Sequence, residues 1–262
     1  ATDNAHPTQT APHTQPGTTA PATPVQPLPA NLRALFPGSF VFDDDAGWVP
    51  EGWQERRIRD VATIVKGKSY KSSELQESRT ALVTLKSFSR GGGYRLDGLK
   101  EYTGSYKPEQ EVFAGDLVIA YTDVTQAADI IGKPALVISD SRYDHLVVSL
   151  DVAAVRPNEE EFKYFLYGLC QTDRFQQHTY AHSTGTTVLH LAKDAVPDFK
   201  FFYAGDELIS KYAELIRANF EKIDLNIAEI SNLGSLRDIL LPKLVSGALQ
   251  IPEARKMVEE AL

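Results

Sequence analysis

The chain has 262 residues, of which 42% are hydrophobic and 24% are charged, and its net charge is −8. This length suits one or two domains with a hydrophobic core, and the composition is ordinary for a soluble globular protein. The negative charge argues against indiscriminate binding of nucleic acid. A single cysteine, Cys170, excludes an internal disulfide framework and favours a reducing, cytoplasmic location. No apolar run approaches membrane-spanning length, so no membrane partner is expected.

The N-terminal segment, residues 1–31, is rich in Pro, Thr, Ala and Gln and has almost no apolar side chains. This composition predicts a disordered linker. The only methionine is Met257, so we expect a processed protein or an excised piece of a longer one. Order is expected to begin near Leu32, followed by a turn-rich stretch in which Trp48 and Trp53 act as aromatic anchors.

Residues 32–204 alternate short apolar runs with polar loops in irregular order, which predicts a mixed α+β domain. The pattern over 54–65 fits either a short helix or a strand. A helix is predicted over Glu160–Thr172, and a loop over His178–Thr187. The predicted strands are Thr80–Lys86, Leu117–Tyr121, Ala135–Ile138, Leu146–Leu150 and Ala153–Arg156. Phe199–Tyr203 is expected to close the globular part.

A long helix is predicted from Asp206, as its cap, to about Leu241, with Pro242 as a stop or kink. About 36 residues at 1.5 Å each would form a rod of roughly 54 Å. Its apolar positions recur in steps of three and four, which predicts coiled-coil-like pairing with another long helix. The alternative is a helix that lies over its own domain. The pairing positions are Leu208, Tyr212, Ile216, Phe220, Ile223, Ile227, Ile230 and Leu233.

We therefore expect a domain over 32–204, a spacer or dimerisation helix over 205–247, and a C-terminal tail with a short helix over 248–262. The charge is distributed unevenly along this chain. Between Arg56 and Lys107, twelve Lys and Arg residues face five Asp and Glu residues, a net charge of +7, whereas the remainder carries −15. A basic patch on an acidic body is compatible with contact to phosphate at one restricted site.

Polar, basic and glycine-rich loops are the features that could contact duplex DNA. Lys and Arg neutralise phosphates, Ser and Thr bond phosphate oxygens, and Arg can reach guanine edges. The alternative is a set of ordinary solvated loops. The candidate DNA-binding residues are Lys66, Lys68, Ser69, Lys71, Lys86, Arg90, Tyr94, Arg95, His182, Ser183, Thr184 and Thr186.

Motifs for nucleotide or metal chemistry are incomplete. The run Lys66–Ser69 is similar to the end of a phosphate-binding loop, but Ala62 stands where that loop needs glycine. His178, His182 and His190 have no acidic or cysteine partner at ligand spacing, so no metal site is predicted.

A nucleophile and a nuclease motif are equally weak. Asp198 and Lys200 match a fragment of a nuclease motif, but the second acid-x-Lys element is missing. Cys170 lies on the apolar side of a predicted helix, which favours a core position. We predict that the chain has no active site.

Four stretches together extend from about Leu32 to the C-terminus and resemble the DNA-specificity subunit of type I restriction-modification systems. The resemblance is to one target-recognition domain and its following conserved helix, and the last stretch is the most specific. The stretches are Leu35–Phe40 with Trp48–Trp53; Gly115–Ala120 with Asp123–Ala128 and Ile131–Ala135; Gly185–Leu191; and Leu236–Gly247.

The resemblance implies that a complete subunit has two recognition domains separated by two antiparallel helices, with each domain reading half of a split DNA site. This chain has one domain and one helix, so we expect either a C-terminal half or a natural half-subunit that dimerises through its helix. The implied partners are double-stranded DNA, a modification (methyltransferase) subunit and a restriction subunit. No cofactor is expected, because S-adenosylmethionine, magnesium and ATP would belong to the partner subunits. Two alternatives remain, a protein-assembly scaffold without DNA contact and a metal-dependent nuclease using Asp198 and Lys200.

Overall fold

The computed structural model describes residues 28–44, 46–125 and 127–261. Most of the predicted 1–31 linker lies outside these residues. The chain divides into two units after Phe36, and everything below concerns the second unit except α1. The helices are α1 (Ala30–Arg33), α2 (Ile58–Val61), α3 (Glu160–Cys170), α4 (Asp173–Ala181), α5 (Asp206–Val245) and α6 (Ile251–Ala261).

The strands are short and fall into several small sheets. They are β1 (Phe40–Asp43), β2 (Gly47–Pro50), β3 (Gln54–Arg57), β4 (Ala62–Lys66), β5 (Thr80–Val83), β6 (Lys100–Glu101), β7 (Glu111–Val112), β8 (Leu117–Ala120), β9 (Thr122–Asp123), β10 (Pro134–Leu136), β11 (His145–Val148), β12 (Val152–Pro157), β13 (Ser183–Thr184), β14 (Leu189–Leu191) and β15 (Lys200–Tyr203).

The central layer is an antiparallel sheet in the order β10-β8-β12-β4. Strand β8 is apolar throughout because both of its faces are buried. Leu117 and Ile119 face one hydrophobic core, which includes α3, α4 and the start of α5. Val118 and Ala120 face a second core, shared with β5 and β11. The central sheet is therefore covered by helices on one side and by another sheet on the other.

The second sheet has the order β6-β5-β11-β7 and contains a parallel pair, β5 with β11. Its far face buries a small cluster of Leu82, Tyr102 and Val147. Three smaller sheets complete the described part of the domain, β1-β2, β13-β14-β9 and β15-β3. Because β15 ends at Tyr203, it delivers the chain directly to the start of α5.

The predicted long helix is present as α5 and has 40 residues. The predicted fold class, an α+β domain followed by a long C-terminal helix, is confirmed. Its first residue is Asp206, but the cap is Gly205 at φ 91°, so the prediction of Asp206 as cap is wrong. The Asp206 carboxylate instead accepts a hydrogen bond from the Tyr203 hydroxyl. Pro242 does not stop the helix, because its own carbonyl accepts from the Ser246 N–H at 3.0 Å and closes a last turn.

The first half of α5 lies over its own domain. Ile209 and Ala213 are buried there, and Ile216 and Phe220 pack against the helix-side core. Further along, Ile230 is 67% exposed. The alternative of a helix lying over its own domain thus holds for the first half, and the second half presents apolar side chains to solvent. None of the helices in the described residues is both long and apolar enough to cross a membrane.

Two local predictions are wrong. The predicted loop His178–Thr187 begins inside α4, which Thr172 caps by accepting from the Phe175 N–H at 3.3 Å. Trp48 is 71% exposed on the β1-β2 hairpin and does not anchor the domain. The ambiguous stretch 54–65 contains both alternatives, since β3, α2 and β4 follow one another there.

Candidate nucleic-acid interface

A three-stranded sheet brings the C-terminal polar loop to the centre of the candidate interface. Strand β14 pairs with β13 on one side and with β9 on the other. In register, Thr184 faces His190, and His190 faces Thr122. The candidate residues Ser183 and Thr184 therefore lie one strand away from β9, and Thr186 is exposed in the connecting turn. Strand β9 leads into the loop that borders the basic residues.

Asp123, at the end of β9, fixes the path of that loop. Its buried carboxylate accepts from the backbone N–H groups of Thr125 at 2.6 Å, Ile130 at 2.6 Å and Ile131 at 2.9 Å. Burial alone would raise its pKa, but these hydrogen bonds outweigh burial and hold the pKa of Asp123 below its usual range. Sequence analysis missed this role, because the partners at 130 and 131 become visible only in the fold.

Three candidate cations line one open cavity of about 440 Å³, which we call the basic groove. Lys86, Arg90 and Arg95 line it together with one acid, Asp97, and with the loop after β9. The structure thus brings together predicted residues from a single glycine-rich region and places them beside β9. An open cationic groove of this kind favours phosphate or a base edge as ligand.

The two arginines of the basic groove differ in their partners. Arg95 makes a two-pronged contact with Asp97, Nε to Oδ1 at 2.9 Å and Nη2 to Oδ2 at 2.5 Å. This pairing raises the pKa of Arg95 and lowers that of Asp97. Among the described residues, the carboxylate that Arg90 contacts is that of Asp129, at 3.9 Å between Nε and Oδ2. Arg90 is therefore the more available of the two for a ligand.

Lys66 lies at a separate, smaller cavity of about 210 Å³, with Tyr121 and His190 in its lining. The following residues hold the loop against β11, because the Lys68 N–H donates to the Val148 carbonyl at 2.7 Å. Gly67 is needed for this approach, since a Cβ there would lie 2.0 Å from the Ser149 carbonyl oxygen. Lys66 thus lies beside β9 and β14, in a cavity whose lining shares no residue with the basic groove.

The other candidates are not gathered into these cavities. Ser69 and Lys71 are exposed beyond the Lys66 loop, where the Lys71 N–H donates to Glu74. The His182 ring contacts the His178 carbonyl through Nδ1 at 2.8 Å.

Tyr94 belongs to the structural support of its loop. Its ring packs against the core between the sheets, and its buried hydroxyl has no hydrogen-bond partner among the described residues. Burial raises the pKa of Tyr94, so the phenol stays neutral at ordinary pH. The hydroxyl is enclosed and the ring is partly buried against this core, so Tyr94 offers little surface to a base.

The residues considered for catalysis are engaged in structural contacts. Asp198 forms ion pairs with Arg57 and Arg59, and Lys200 pairs with Glu55 at 2.9 Å. Two cations already hold the only acid of the incomplete nuclease motif. No group of three metal-binding side chains occurs in the part of the chain that the structure describes.

Cys170 is fully enclosed in the helix-side core, as expected from its apolar position. Burial raises the pKa of its thiol, which disfavours the reactive thiolate. The cysteine is a packing residue.

No family model matches the chain. It is 24% identical over 227 residues to the type I restriction enzyme MjaIX specificity subunit of Methanocaldococcus jannaschii, covering 82% of this chain and 48% of that protein. It is 22% identical over 206 residues to the type I restriction enzyme HindI specificity subunit of Haemophilus influenzae, covering 77% of this chain and 42% of that protein. The chain spans about half the length of these curated relatives. The resemblance predicted from the four motifs is confirmed.

Solved structures of similar description also match. The type I restriction-modification S subunit from M. genitalium gives a TM-score of 0.49 at 13% identity, covering 74% of this chain and 46% of that one. The HsdS subunit from Thermoanaerobacter tengcongensis gives 0.43 at 17% identity, covering 76% and 43%.

Proposed function

We propose that this chain, which resembles half of a type I restriction enzyme specificity subunit, is a non-catalytic module that reads one half of a bipartite DNA site. The observation that carries the proposal is the basic groove, in which Lys86, Arg90 and Arg95 converge beside β9. Those residues lie in the segment of net charge +7, on a chain whose total is −8. Binding is therefore confined to one face.

Each part of this face has a proposed task. Lys66, Lys68 and Lys86 neutralise phosphates, and the hydroxyls of the β13-β14 hairpin bond phosphate oxygens. Arg90, whose nearest carboxylate is 3.9 Å away, reads a guanine edge in the major groove. The domain over 32–204 is the reading head, and the helix over 205–247 sets the distance to a second one.

The exposed second half of α5 supports a paired helix as partner. Ile223, Ile230 and Leu233 are 49%, 67% and 41% exposed and follow each other in steps of seven and three. An apolar stripe of this kind favours burial against another helix. We propose that the stripe pairs with a second copy of the chain or with a second helix of a longer subunit.

The proposed assembly also includes the two other subunits of such systems. Helix α5 and the Leu236–Gly247 segment would meet the modification subunit, which brings S-adenosylmethionine and methylates adenine. The restriction subunit would bring the magnesium and ATP chemistry. The chain itself contributes recognition and geometry, and it needs no cofactor for that task.

The experiment is selection from a randomised duplex pool, with the chain assembled on the modification subunit of its own system. One enriched block of fixed bases is the expected result for a single reading head. Two inverted blocks with a fixed spacer would identify a helix-paired dimer. Absence of enrichment from a verified complex would overturn the proposal.

Arg90→Ala and Arg95→Ala separate base reading from phosphate contact in the same selection. We expect Arg90→Ala to relax one base position by about 1–3 kcal/mol. Arg95 is already paired with Asp97, so we expect it to contribute positive charge near a phosphate and no base contact. Arg95→Ala should therefore lower the affinity for all DNA sequences about equally. A uniform loss with Arg90→Ala would reassign Arg90 to a phosphate.

An assembly scaffold without DNA contact is the second candidate, and the exposed apolar stripe of α5 favours it. Salt dependence discriminates, because phosphate contacts make affinity fall as salt rises. The affinity of the complex for DNA is compared between about 50 and 200 mM salt. No binding, or an affinity that does not change over this range, would support the scaffold.

A further inference from the structure

Helix α4 presents a polar face beside the basic groove that no sequence motif indicates. Gln177 and Tyr180, three residues apart on this helix, line a cavity of about 330 Å³. Arg90 and Lys133 line the same cavity from other segments. Arg90 lines both this cavity and the basic groove. The two depressions are thus neighbouring parts of one surface, with a helix on one side and, on the other, the two cations and the carboxylate of Asp129.

The helix is held rigidly by its buried face. Phe175 and Thr179 are fully buried. The Gln176 amide donates to the carbonyls of Cys170 at 2.7 Å and Gly132 at 3.1 Å. A Cβ at Gly132 would lie 2.3 Å from the Thr179 hydroxyl oxygen, so helix and turn are in closest packing. Groups on the outer face of α4 are consequently positioned before any ligand arrives.

The outer face carries a side chain suited to base recognition. Gln177 is exposed, and its amide makes no hydrogen bond among the described residues, whereas neighbouring Gln176 uses its own internally. A free glutamine amide offers a donor and an acceptor in the spacing that adenine presents in the major groove. Tyr180 is 62% exposed beside it and offers an apolar surface with a hydroxyl at its tip.

We propose that α4 enters the major groove and that Gln177 reads an adenine, with Tyr180 packed against the adjoining base. Arg90 and Lys133 flank the helix and face the DNA strands on either side of the contact. Nine residues of helix are enough, because recognition helices use only a few side chains at the bases. The inference rests on the proposed function and adds a reading element to it.

The test repeats the duplex selection with Gln177→Ala and with Gln171→Ala as matched control. Gln171 is an exposed glutamine in the turn between α3 and α4, and its amide donates to the Tyr167 carbonyl at 3.3 Å. Loss of a bidentate adenine contact corresponds to about 5- to 150-fold less discrimination at that position. We expect this loss at one adenine with Gln177→Ala, unchanged preference elsewhere, and no change with Gln171→Ala.

Three outcomes are informative. If wild type selects a site and Gln177→Ala retains every preference, the inference is overturned while the proposed function stands. If wild type selects nothing, the proposed function itself fails. Tyr180→Phe and Tyr180→Ala give a second reading: we expect Phe to retain the neighbouring preference and Ala to lose it. Equal base preferences of the two variants at the neighbouring position would contradict packing by the ring. Melting temperatures equal to that of wild type exclude a folding defect as the cause of any change.

Discussion

Asp224 of the long helix accepts hydrogen bonds from both the backbone N–H and the hydroxyl of Ser139, each at 2.9 Å, although the two residues are 85 positions apart. These bonds attach the middle of α5 to the domain. Ile209 and Ala213, nearer the start of the helix, pack into the core, and Ile230 further along the helix faces solvent. The contact therefore acts together with core packing to orient the helix surface that is offered to a partner.

Asp224→Ala should weaken the docking of α5 on the domain. Hydrogen bonds to a charged acceptor contribute about 1.5–3 kcal/mol when protected, and this site is partly exposed, so we expect a loss of about 1 kcal/mol in unfolding free energy. Urea unfolding measures it. Glu229→Ala, an exposed acid on the same helix, is the control and should change little. Equal losses for the two variants would contradict a role specific to Asp224.

Ile230→Ser should weaken self-association of the isolated chain. Burying an aliphatic side chain contributes about 1.5–3 kcal/mol, which corresponds to at least a tenfold higher dissociation constant when it is lost. Sedimentation equilibrium measures the change. The control is Leu225→Ser, since Leu225 is 70% exposed on another side of the helix. A monomeric wild type, or equal effects of both variants, would contradict self-pairing through this stripe and leave a second helix of a longer subunit as the partner.

Asp123→Asn should loosen the loop after β9. Both carboxylate oxygens accept hydrogen bonds, whereas asparagine would place an NH2 donor against at least one of the backbone N–H groups. A buried N–H without an acceptor costs about 1–3 kcal/mol. Because the pKa of Asp123 is lowered by folding, its contribution is complete above the ordinary pKa of about 3.9 and is lost as pH falls through the lower folded value. Chemical unfolding between pH 7 and pH 2 measures both effects. Acid sensitivity identical to that of wild type would contradict this assignment.

Gly67→Ala should disturb the loop that carries Lys66 and Lys68. The added methyl would lie 2.0 Å from the Ser149 carbonyl oxygen, and overpacking of this kind costs about 1–3 kcal/mol. Gly91→Ala is the matched control, because a Cβ at Gly91 meets nothing within 4 Å. Thermal unfolding compares the two variants. Equal melting temperatures would show that the loop accommodates the methyl group without cost.

The sequence predicted those elements whose burial follows a simple period. Helix α5 was predicted because its apolar residues recur every three or four positions, and β8 because it is apolar throughout. Helix α4 was missed because most of its residues are polar. Its burial depends on Gly132 and Cys170, whose contacts with Gln176 arise only from the tertiary fold.

The sequence predicted which residue types form the candidate interface, but only in part where their side chains lie. Lys86, Arg90 and Arg95 do converge, because they are close in sequence around a compact glycine-rich loop. Composition did not indicate that Arg95 pairs with Asp97 or that Tyr94 packs inward. Charge pairing and ring orientation depend on side-chain geometry, which residue type alone does not encode.

The Asp224–Ser139 contact is also the point about which the second half of α5 could tilt relative to the domain. From Asp224 to Val245 the helix extends for roughly 30 Å at 1.5 Å per residue. A tilt of about 10° at Asp224 would displace Val245 by about 5 Å, which exceeds the roughly 3.4 Å rise of one base pair. For the proposed task of setting the distance between two reading heads, stiffness at this joint would therefore matter more than strength. Under that proposal, loosening of the Asp224–Ser139 contact would broaden the selected spacing between half-sites before it lowered the affinity for either one.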